Sequence, residues 1–511
     1  MTPCTVFPDE RALVLETDDP RVLATIPTAE ELAPGFVCMP HDIDTAIRLA
    51  LLGVDTPHPI ESYYAWPRDR TLIPAPFAHQ HTTASFMISN PHAYVLNDIG
   101  TGKSMSAAWA ADYLMEQGYG HRALVIAPLS TLERVWGDTF FVHFTHRTFA
   151  VLHGSAEKRK KLLAQPRDFY IINHDGVVVL EKELARRPDI DIVIIDELAV
   201  YRNKNTDKWK AIDAILWPEK GAPKPWAWGM TGTPTPNAPT DAYGQCKLVT
   251  PTTVPKFFGQ FRALVMDHQS TYTWTPRKEA TGVVHQVMRP AIRFKRDDCI
   301  DLPPTIYQTR DVELSADQTK HMKELMRELV TEVEGKRITA VNEGVKLSKA
   351  LQIAGGCAYD IDGSPHELDT GNRLETLMEV IEEAGGKILV FVPFTSMTNM
   401  IARVLNKHWE TAIVTGDTPV KERNDIFLRF QDTNSTLEII VAHPGTMSHG
   451  LTLVEASVVV WWTGIDSNDT YTQACGRITR PGQHRTTCVI NLSGSAVERR
   501  VYKRLAERQK M

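Results

Sequence analysis

Two α/β domains in tandem, each built on a parallel sheet, with a helical insertion between them and a small N-terminal extension, are predicted by three features of this chain. Its 511 residues exceed what one hydrophobic core organises. Two separate series of short apolar runs, rich in β-branched residues, alternate with helical stretches, as strands buried on both faces do. The first series opens on a glycine-bracketed turn, Asn97-Asp98-Ile99-Gly100-Thr101-Gly102-Lys103-Ser104, where an apolar run meets the start of a helix.

Taken in order, residues 1–70 form the extension. Patterning there is weak, and Tyr63, Tyr64 and Trp66 are expected to pack rather than to stack on bases. The first domain is expected over 71–285. After the turn its strands are ALVIAP (123–128), FYIINH (169–174), DIVIID (191–196) and WAWGMTGT (226–233), with a helix over SAEKRKKLLAQ (155–165). Prolines and basic clusters, RFKRDD and DLPPT among them, mark a crossing between domains, and 315–355 is helical in pattern; together they make a segment over 286–370. The second domain, 371–511, repeats the alternation with KILVFVPF, TAIVTG, LEIIVAHP, SVVVWW and TCVINL. It has no phosphate turn of its own, so its expected role is to complete the first domain's site. The basic tail helix ERRVYKRLAERQKM could dock on DNA or be a charged surface helix packed through Val501 and Leu505, and the second is expected.

Composition narrows the function. With 43% hydrophobic and 23% charged residues the chain is an ordinary globular protein, and no apolar run approaches the roughly 20 residues of a membrane span. The acidic N-terminal stretch lacks the basic-then-apolar order of a secretory signal, which points to the cytoplasm. Seven scattered cysteines without a CxxC read as reduced thiols. A net charge of −6 restricts any DNA contact to a local basic track.

The chemistry begins at the turn. Successive backbone N–H groups and a helix N-terminus bind phosphate; Lys103 reaches the outer phosphates, and the Ser104 hydroxyl serves Mg²⁺. The strict spelling GxxxxGKS asks for glycine where Asn97 stands. Gln80, some twenty residues earlier, can read donor and acceptor on an adenine edge. Asp196 and Glu197 end a buried strand and suit, respectively, metal holding and polarising the attacking water; an acid pair at a helix N-terminus is the structural alternative. Arg477 and Arg480, three apart on an expected helix, share a face and could clamp a γ-phosphate.

These strings resemble the superfamily-two helicases, and within them the Swi/Snf-type DNA-dependent ATPases in their compact bacterial and phage form. NDIGTGKS is similar to motif I. ALVIAPLSTLERVWGDTF resembles a motif Ia of the form LVVxPxSLLxxW, with Pro128, Ser130, Leu132 and Trp136 in step. DELAVYRN resembles DEAHxxKN, TGTPTPN resembles LTGTPLQN, and IRFKRDDCIDLPPT is similar to the crossing segment RRxKxDVxxxLPPK. HPGTMSHGLTL resembles motif V, and QACGRITRPGQ matches QAxxRxxRxGQ.

The resemblance implies two RecA-like domains and roles residue by residue. Gln80 would read adenine; Gly100, Thr101, Gly102, Lys103 and Ser104 would hold the phosphates and Mg²⁺ of ATP. Asp196 and Glu197 would serve metal and water. Thr231 and Thr233 would couple ATP state to DNA grip, Gly450 would approach the nucleotide from the second domain, and Gln473, Arg477 and Arg480 would complete the site. Ser130, Lys158, Arg159, Thr446 and Ser448 are candidates for the DNA backbone, although the run Lys158 to Lys161 could equally be a solvated helix face. Three departures from the family spelling are Ala199, the pair Met447-Ser448 in motif V, and Asn173-His174 where Thr-Tyr is common. The expected activity is ATP hydrolysis driving translocation on DNA, with duplex DNA favoured. A DEAD-box-like RNA helicase and a nucleotide-regulated DNA clamp with poor turnover are the alternatives.

Overall fold

A computed structural model describes residues 3–67, 75–218, 223–270, 273–299, 302–333, 340–359, 365–447 and 452–509. By contacts the chain forms two compact units, Met1–Cys299 and Ile300–Met511.

The first unit opens with a small antiparallel sheet of β1 (Cys4–Phe7), β2 (Ala12–Glu16), β3 (Glu30–Ala33) and β4 (Phe36–Pro40), in the order β1-β2-β4-β3. Period-two alternation puts Leu13, Leu15, Val37 and Met39 on one face, where they bury against Val22, Ile26 and Leu49. Strands of four or five residues leave little periodicity to read, which is why the sequence showed only weak patterning. Tyr63, Tyr64 and Trp66 pack, as expected, against the core of the larger sheet. The Tyr64 hydroxyl donates to Asp112 Oδ2 at 2.6 Å.

The larger sheet has seven strands. They are β5 (His92–Val95), β6 (Ala123–Ala127), β7 (Phe149–Val151), β8 (Phe169–Asn173), β9 (Ile192–Asp196), β10 (Trp226–Met230) and, after a hairpin of β11 (Met266–Ser270) and β12 (Thr273–Pro276), β13 (Ala291–Ile292). The order is β13-β5-β10-β9-β6-β8-β7, with every neighbouring pair parallel. Each strand divides its side chains between two cores: Leu124, Ile126, Val193 and Ile195 face one, while Val125, Ala127, Ile192 and Ile194 face the other. Helices on both faces cover these apolar sides, so the strands read as continuous hydrophobic runs.

In the second unit, β14 (Thr305–Asp311), β17 (Lys387–Phe391), β18 (Thr411–Val414), β19 (Ile439–Ala442), β20 (Ala456–Trp461) and β21 (Thr487–Ser493) form a parallel sheet in the order β14-β21-β20-β17-β19-β18. A small hairpin pairs β15 (Cys357–Tyr359) with β16 (Pro365–Glu367). The helices Ala316–Val333 and Ala340–Gly355 occupy the stretch that reads as helical. In the tail helix Ala496–Gln509, Val501 and Leu505 are buried, as its pattern requires. Two α/β units, each on a parallel sheet, are thus the fold the alternation predicted. The edge strands β13 and β14 were not foreseen, because two-residue or half-exposed strands carry no distinctive pattern.

Candidate functional site

Parallel strands bring their C-terminal ends to one edge, and register decides which loops meet there. In the first unit Val95 of β5 pairs Met230 of β10, which pairs Asp196 of β9. The turns that follow these three residues are the glycine-rich turn, Thr231-Gly232-Thr233 and the Asp196-Glu197 pair. Strands distant in sequence therefore set three expected site segments side by side.

The glycine-rich turn runs from Leu96 into the helix Lys103–Glu116. Gly100 and Gly102 have φ of +87° and +78°, a region in which a side chain would be strained. A Cβ on Gly102 would lie 2.0 Å from Gln80 Nε2, so the Gln80 amide rests on this glycine and a side chain would fill the cradle. Gln80 Oε1 accepts from the Phe77 N–H at 2.9 Å, at the start of the helix Ala78–Ser89. Lys103 Nζ donates to the carbonyls of Asn97 and Asp98 at 2.8 and 3.0 Å, curling its charge over the turn. Ser104 stands in the first turn of the helix, half-buried. A glycine-lined anion cradle, a lysine at its mouth and a hydroxyl at the helix start fit the triphosphate of a Mg-nucleotide.

Asn97, in the place of the missing glycine, is only 1% exposed. Its Nδ2 donates to Thr83 Oγ1 at 2.9 Å, and its Oδ1 accepts from the Phe294 N–H at 2.9 Å. The Asp98 N–H donates to Phe294 O at 3.0 Å, and Asp98 Oδ2 accepts from the Arg296 N–H at 3.2 Å. The basic segment after β13 is therefore stitched to the phosphate turn. Sequence reading missed this, since the partners lie 197 and 198 residues apart.

Asp196 keeps a partly exposed face while protein crowds around it. Burial pushes its carboxyl pKa up, opposed by the Trp136 N–H and the charge of Lys103. Trp136 Nε1 donates to Asp196 Oδ2 at 3.0 Å. Glu197 has φ of +61°, rare for a residue that is not glycine. Its Oε1 accepts from Thr231 Oγ1 at 3.0 Å, and Thr231 Oγ1 accepts from the Thr233 N–H at 3.2 Å. The Glu197 carboxylate, the Thr231 hydroxyl and the Thr233 backbone are thus one network, beginning one residue after Asp196.

In the second unit the expected helix over Arg477 and Arg480 requires correction. The helix is Asn468–Cys475, and both arginines lie in the turn after it. Pro481 has no N–H to give the Arg477 carbonyl and disfavours helix at the residue before it, so that carbonyl accepts from the Leu453 N–H at 3.0 Å instead. Gln483, a residue the sequence reading left without a role, is buried and donates through Nε2 to the carbonyls of Val454, Ala456 and Ile478, pinning the turn. Arg477 is 2% exposed; burial, then the nearby Arg480, push its guanidinium pKa down. Arg480 donates to Gly476 O and Thr452 Oγ1. Burial pulls it down to about 10, which still leaves it charged at neutral pH. An anion brought to this pair would oppose both shifts. Gln473 is buried, with Nε2 donating to Asp469 Oδ1 at 3.0 Å. Gly450 and Ser448 lie outside the described residues.

Residues 79–355 match the SNF2-related domain, and residues 372–482 match the helicase conserved C-terminal domain. The chain belongs to the SNF2-related family. Among relatives of this SNF2-related protein, the phage protein p41 of Acyrthosiphon pisum secondary endosymbiont phage 1 is 25% identical over 417 residues, covering 77% of this chain and 86% of that one. The ATP-dependent DNA helicase DDM1 of Arabidopsis thaliana is 23% identical, covering 81% of this chain but 58% of its own length. The Sulfolobus solfataricus SWI2/SNF2 ATPase core, solved in complex with dsDNA, aligns with a TM-score of 0.41 at 20% identity, over 88% of this chain and 94% of that one.

One of the departures from the family's spelling, the pair Asn173-His174, has local partners in this SNF2-related chain. Asn173 Oδ1 accepts from Arg159 Nη1 at 2.9 Å, and His174 Nδ1 meets the Tyr201 hydroxyl at 2.8 Å. Arg159 also donates to the carbonyls of Gly154 and Leu152, so its guanidinium is engaged inside the unit. Lys158 is exposed on the helix Ala156–Leu163, and Ser130 is exposed on the short turn Leu129–Thr131 that follows β6. Thr446 Oγ1 donates to His443 O at 2.7 Å, within its own turn. Ala199 is buried. No helix among the described residues is long and apolar enough to cross a membrane.

Proposed function

We propose that this SNF2-related protein is an ATP hydrolase that converts each turnover into movement along DNA, working in the cytoplasm of a bacterium or of a phage-infected cell. The observation that carries this reading is the register of β5, β10 and β9, which sets the phosphate turn, the Thr231–Thr233 turn and the acid pair at one sheet edge.

In this reading the nucleotide's adenine lies by Gln80, and its phosphates lie over the backbone N–H groups of Gly100 to Lys103. Lys103 exchanges its contacts with the Asn97 and Asp98 carbonyls for phosphate oxygens. Ser104 and Asp196 would hold Mg²⁺, which would supply charge neutralisation. Glu197 orients the attacking water and accepts its proton. Because Thr231 donates to that same carboxylate, any shift of the Thr231–Thr233 turn re-aims it, which gives DNA grip a route to the rate. Gln473, Arg477 and Arg480 stabilise the charge that develops on the transferred phosphoryl group, and Gly450 approaches the nucleotide from the same unit. DNA is held through its phosphates, so binding is insensitive to sequence and sensitive to salt. Ser130, Lys158, Thr446 and Ser448 are the contacts proposed, with Arg159 shaping the helix that carries Lys158.

The test is steady-state phosphate release against duplex DNA, single strands and RNA. Duplex DNA should stimulate most; stimulation by RNA alone would favour an RNA helicase, and slow turnover with every polymer would favour a clamp. Lys103→Ala and Glu197→Gln should each lower turnover by at least about a hundredfold. Full-rate hydrolysis by either variant would refute the assignment.

A further inference from the structure

We propose that Trp136 is a positioning residue for the metal-holding acid, and that it ties the exposed turn Leu129–Thr131 to the state of Asp196. The inference rests on the reading of Asp196 as that acid. Trp136 is fully buried in the first unit's core, its ring stacked on Phe140, which packs against Phe169 at 4.1 Å between ring centres. An indole N–H can only donate, so it can hold a carboxylate by one oxygen and in one orientation. Here it holds Oδ2 at 3.0 Å.

The choice of acceptor separates Trp136 from the other tryptophans. Any buried indole needs a partner, and a backbone carbonyl is the usual solution. Trp66, Trp209, Trp217, Trp228 and Trp462 donate to the carbonyls of Ile60, Gly244, Leu248, Asn90 and Gly355. Trp461 donates to the Cys475 sulfur. Among the described residues with an indole hydrogen bond, Trp136 alone donates to a carboxylate, and that carboxylate belongs to the proposed active site.

The backbone that carries Trp136 is unusual as well. Residues Leu132–Gly137 are wound as a π-helix, between the short turn Leu129–Thr131 and the α-helix Asp138–His143. Single wide turns of this kind are uncommon and concentrate at functional places. A Cβ on Gly137 would sit 3.3 Å from Leu132 O, so a glycine there suits the close approach of that carbonyl. Leu129 and Ser130 are exposed at the N-terminal end of this segment, while Trp136 is buried near its C-terminal end against the acid. A polymer that displaces the turn would therefore act on the indole through about one turn of deformable helix.

The test is equilibrium binding of fluorescently labelled ADP to the full chain, with Mg²⁺ and with chelator, with and without duplex DNA. In the unaltered protein Mg²⁺ should tighten binding, and DNA should change the size of that gain. Trp136→Phe keeps an aromatic ring but removes the N–H. It should reduce the Mg²⁺-dependent gain on the order of tenfold, leave metal-free binding unchanged, and abolish the response of the gain to DNA. Asp196→Asn should remove the gain altogether.

A Trp136→Phe protein with the full gain and an intact DNA response would overturn the proposal. If Asp196→Asn also kept the gain, the assignment of Asp196 itself would fall. Should Trp136→Phe melt early, benzothienylalanine placed at position 136 by nonsense suppression keeps the bicyclic shape without the N–H. A reduced gain in that protein supports the proposal, and an unchanged gain overturns it.

Discussion

Restoring the strict phosphate-loop spelling by Asn97→Gly should weaken this protein. Asn97 is almost fully buried and makes two side-chain hydrogen bonds, one to Thr83 Oγ1 and one from the Phe294 N–H, both 2.9 Å long. Each such bond contributes about 1 kcal/mol net, and a glycine adds roughly 0.5–1 kcal/mol of backbone entropy cost, so a loss of about 2.5–3 kcal/mol is expected. Water cannot readily replace these partners at a buried site, which favours the upper end. Urea denaturation of the unit containing residues 79–299, followed within the full chain, reads the total. Hydrogen exchange of a peptide spanning 290–297 reads the local part, because the Phe294 amide loses its acceptor and should exchange faster. Thr83→Val should reproduce part of the stability loss and leave Phe294 protected. If Asn97→Gly left both stability and Phe294 protection unchanged, the stitching of the phosphate turn to the basic segment would not be what holds either in place.

Three further outcomes follow from the structure. Arg373 and Glu498 form a fully buried ion pair at 3.0 Å, and Glu498 also accepts from Thr463, Gly494 and Ser495. Glu498→Ala alone should cost roughly 3–5 kcal/mol in denaturation, whereas Arg373→Met combined with Glu498→Leu should cost clearly less than the sum of the single changes. His41 and His58 are held neutral chiefly by burial, which depresses both pKa values, so the unfolded segment binds more protons than the folded one below about 6.5. The contacts of His41 with Tyr63 and Pro57, and of His58 with Ser89, should accordingly be stable above that pH and loosen as it falls, seen as faster proteolysis within residues 1–67 at pH 5.5 than at 7.5. Lys158→Ala should lower the salt slope of DNA binding by about one without changing stability, while Arg159→Ala, which loses three internal bonds, should destabilise by roughly 2–3 kcal/mol.

By itself the sequence determined whatever is written in neighbouring residues. Continuous β-branched runs made buried parallel strands, because every second side chain enters a core on each face. Glycines at 100 and 102 marked a turn that needs positive φ. Pro481 marked only that a helix could not run past Arg480; its earlier end at Cys475, before Arg477, was not read from the sequence.

Only the tertiary structure decided which distant residues meet. Strand order put β10 between β5 and β9, and so placed Thr231 against Glu197. It gave Asn97 its partner at Phe294, bound Arg159 to Asn173, and aimed the Trp136 indole at Asp196 across 60 residues of chain. Periodicity and turn chemistry act over a few residues, whereas these hydrogen bonds depend on the register of strands and on which buried donor lacks a nearer acceptor. Those are properties of the packed molecule as a whole.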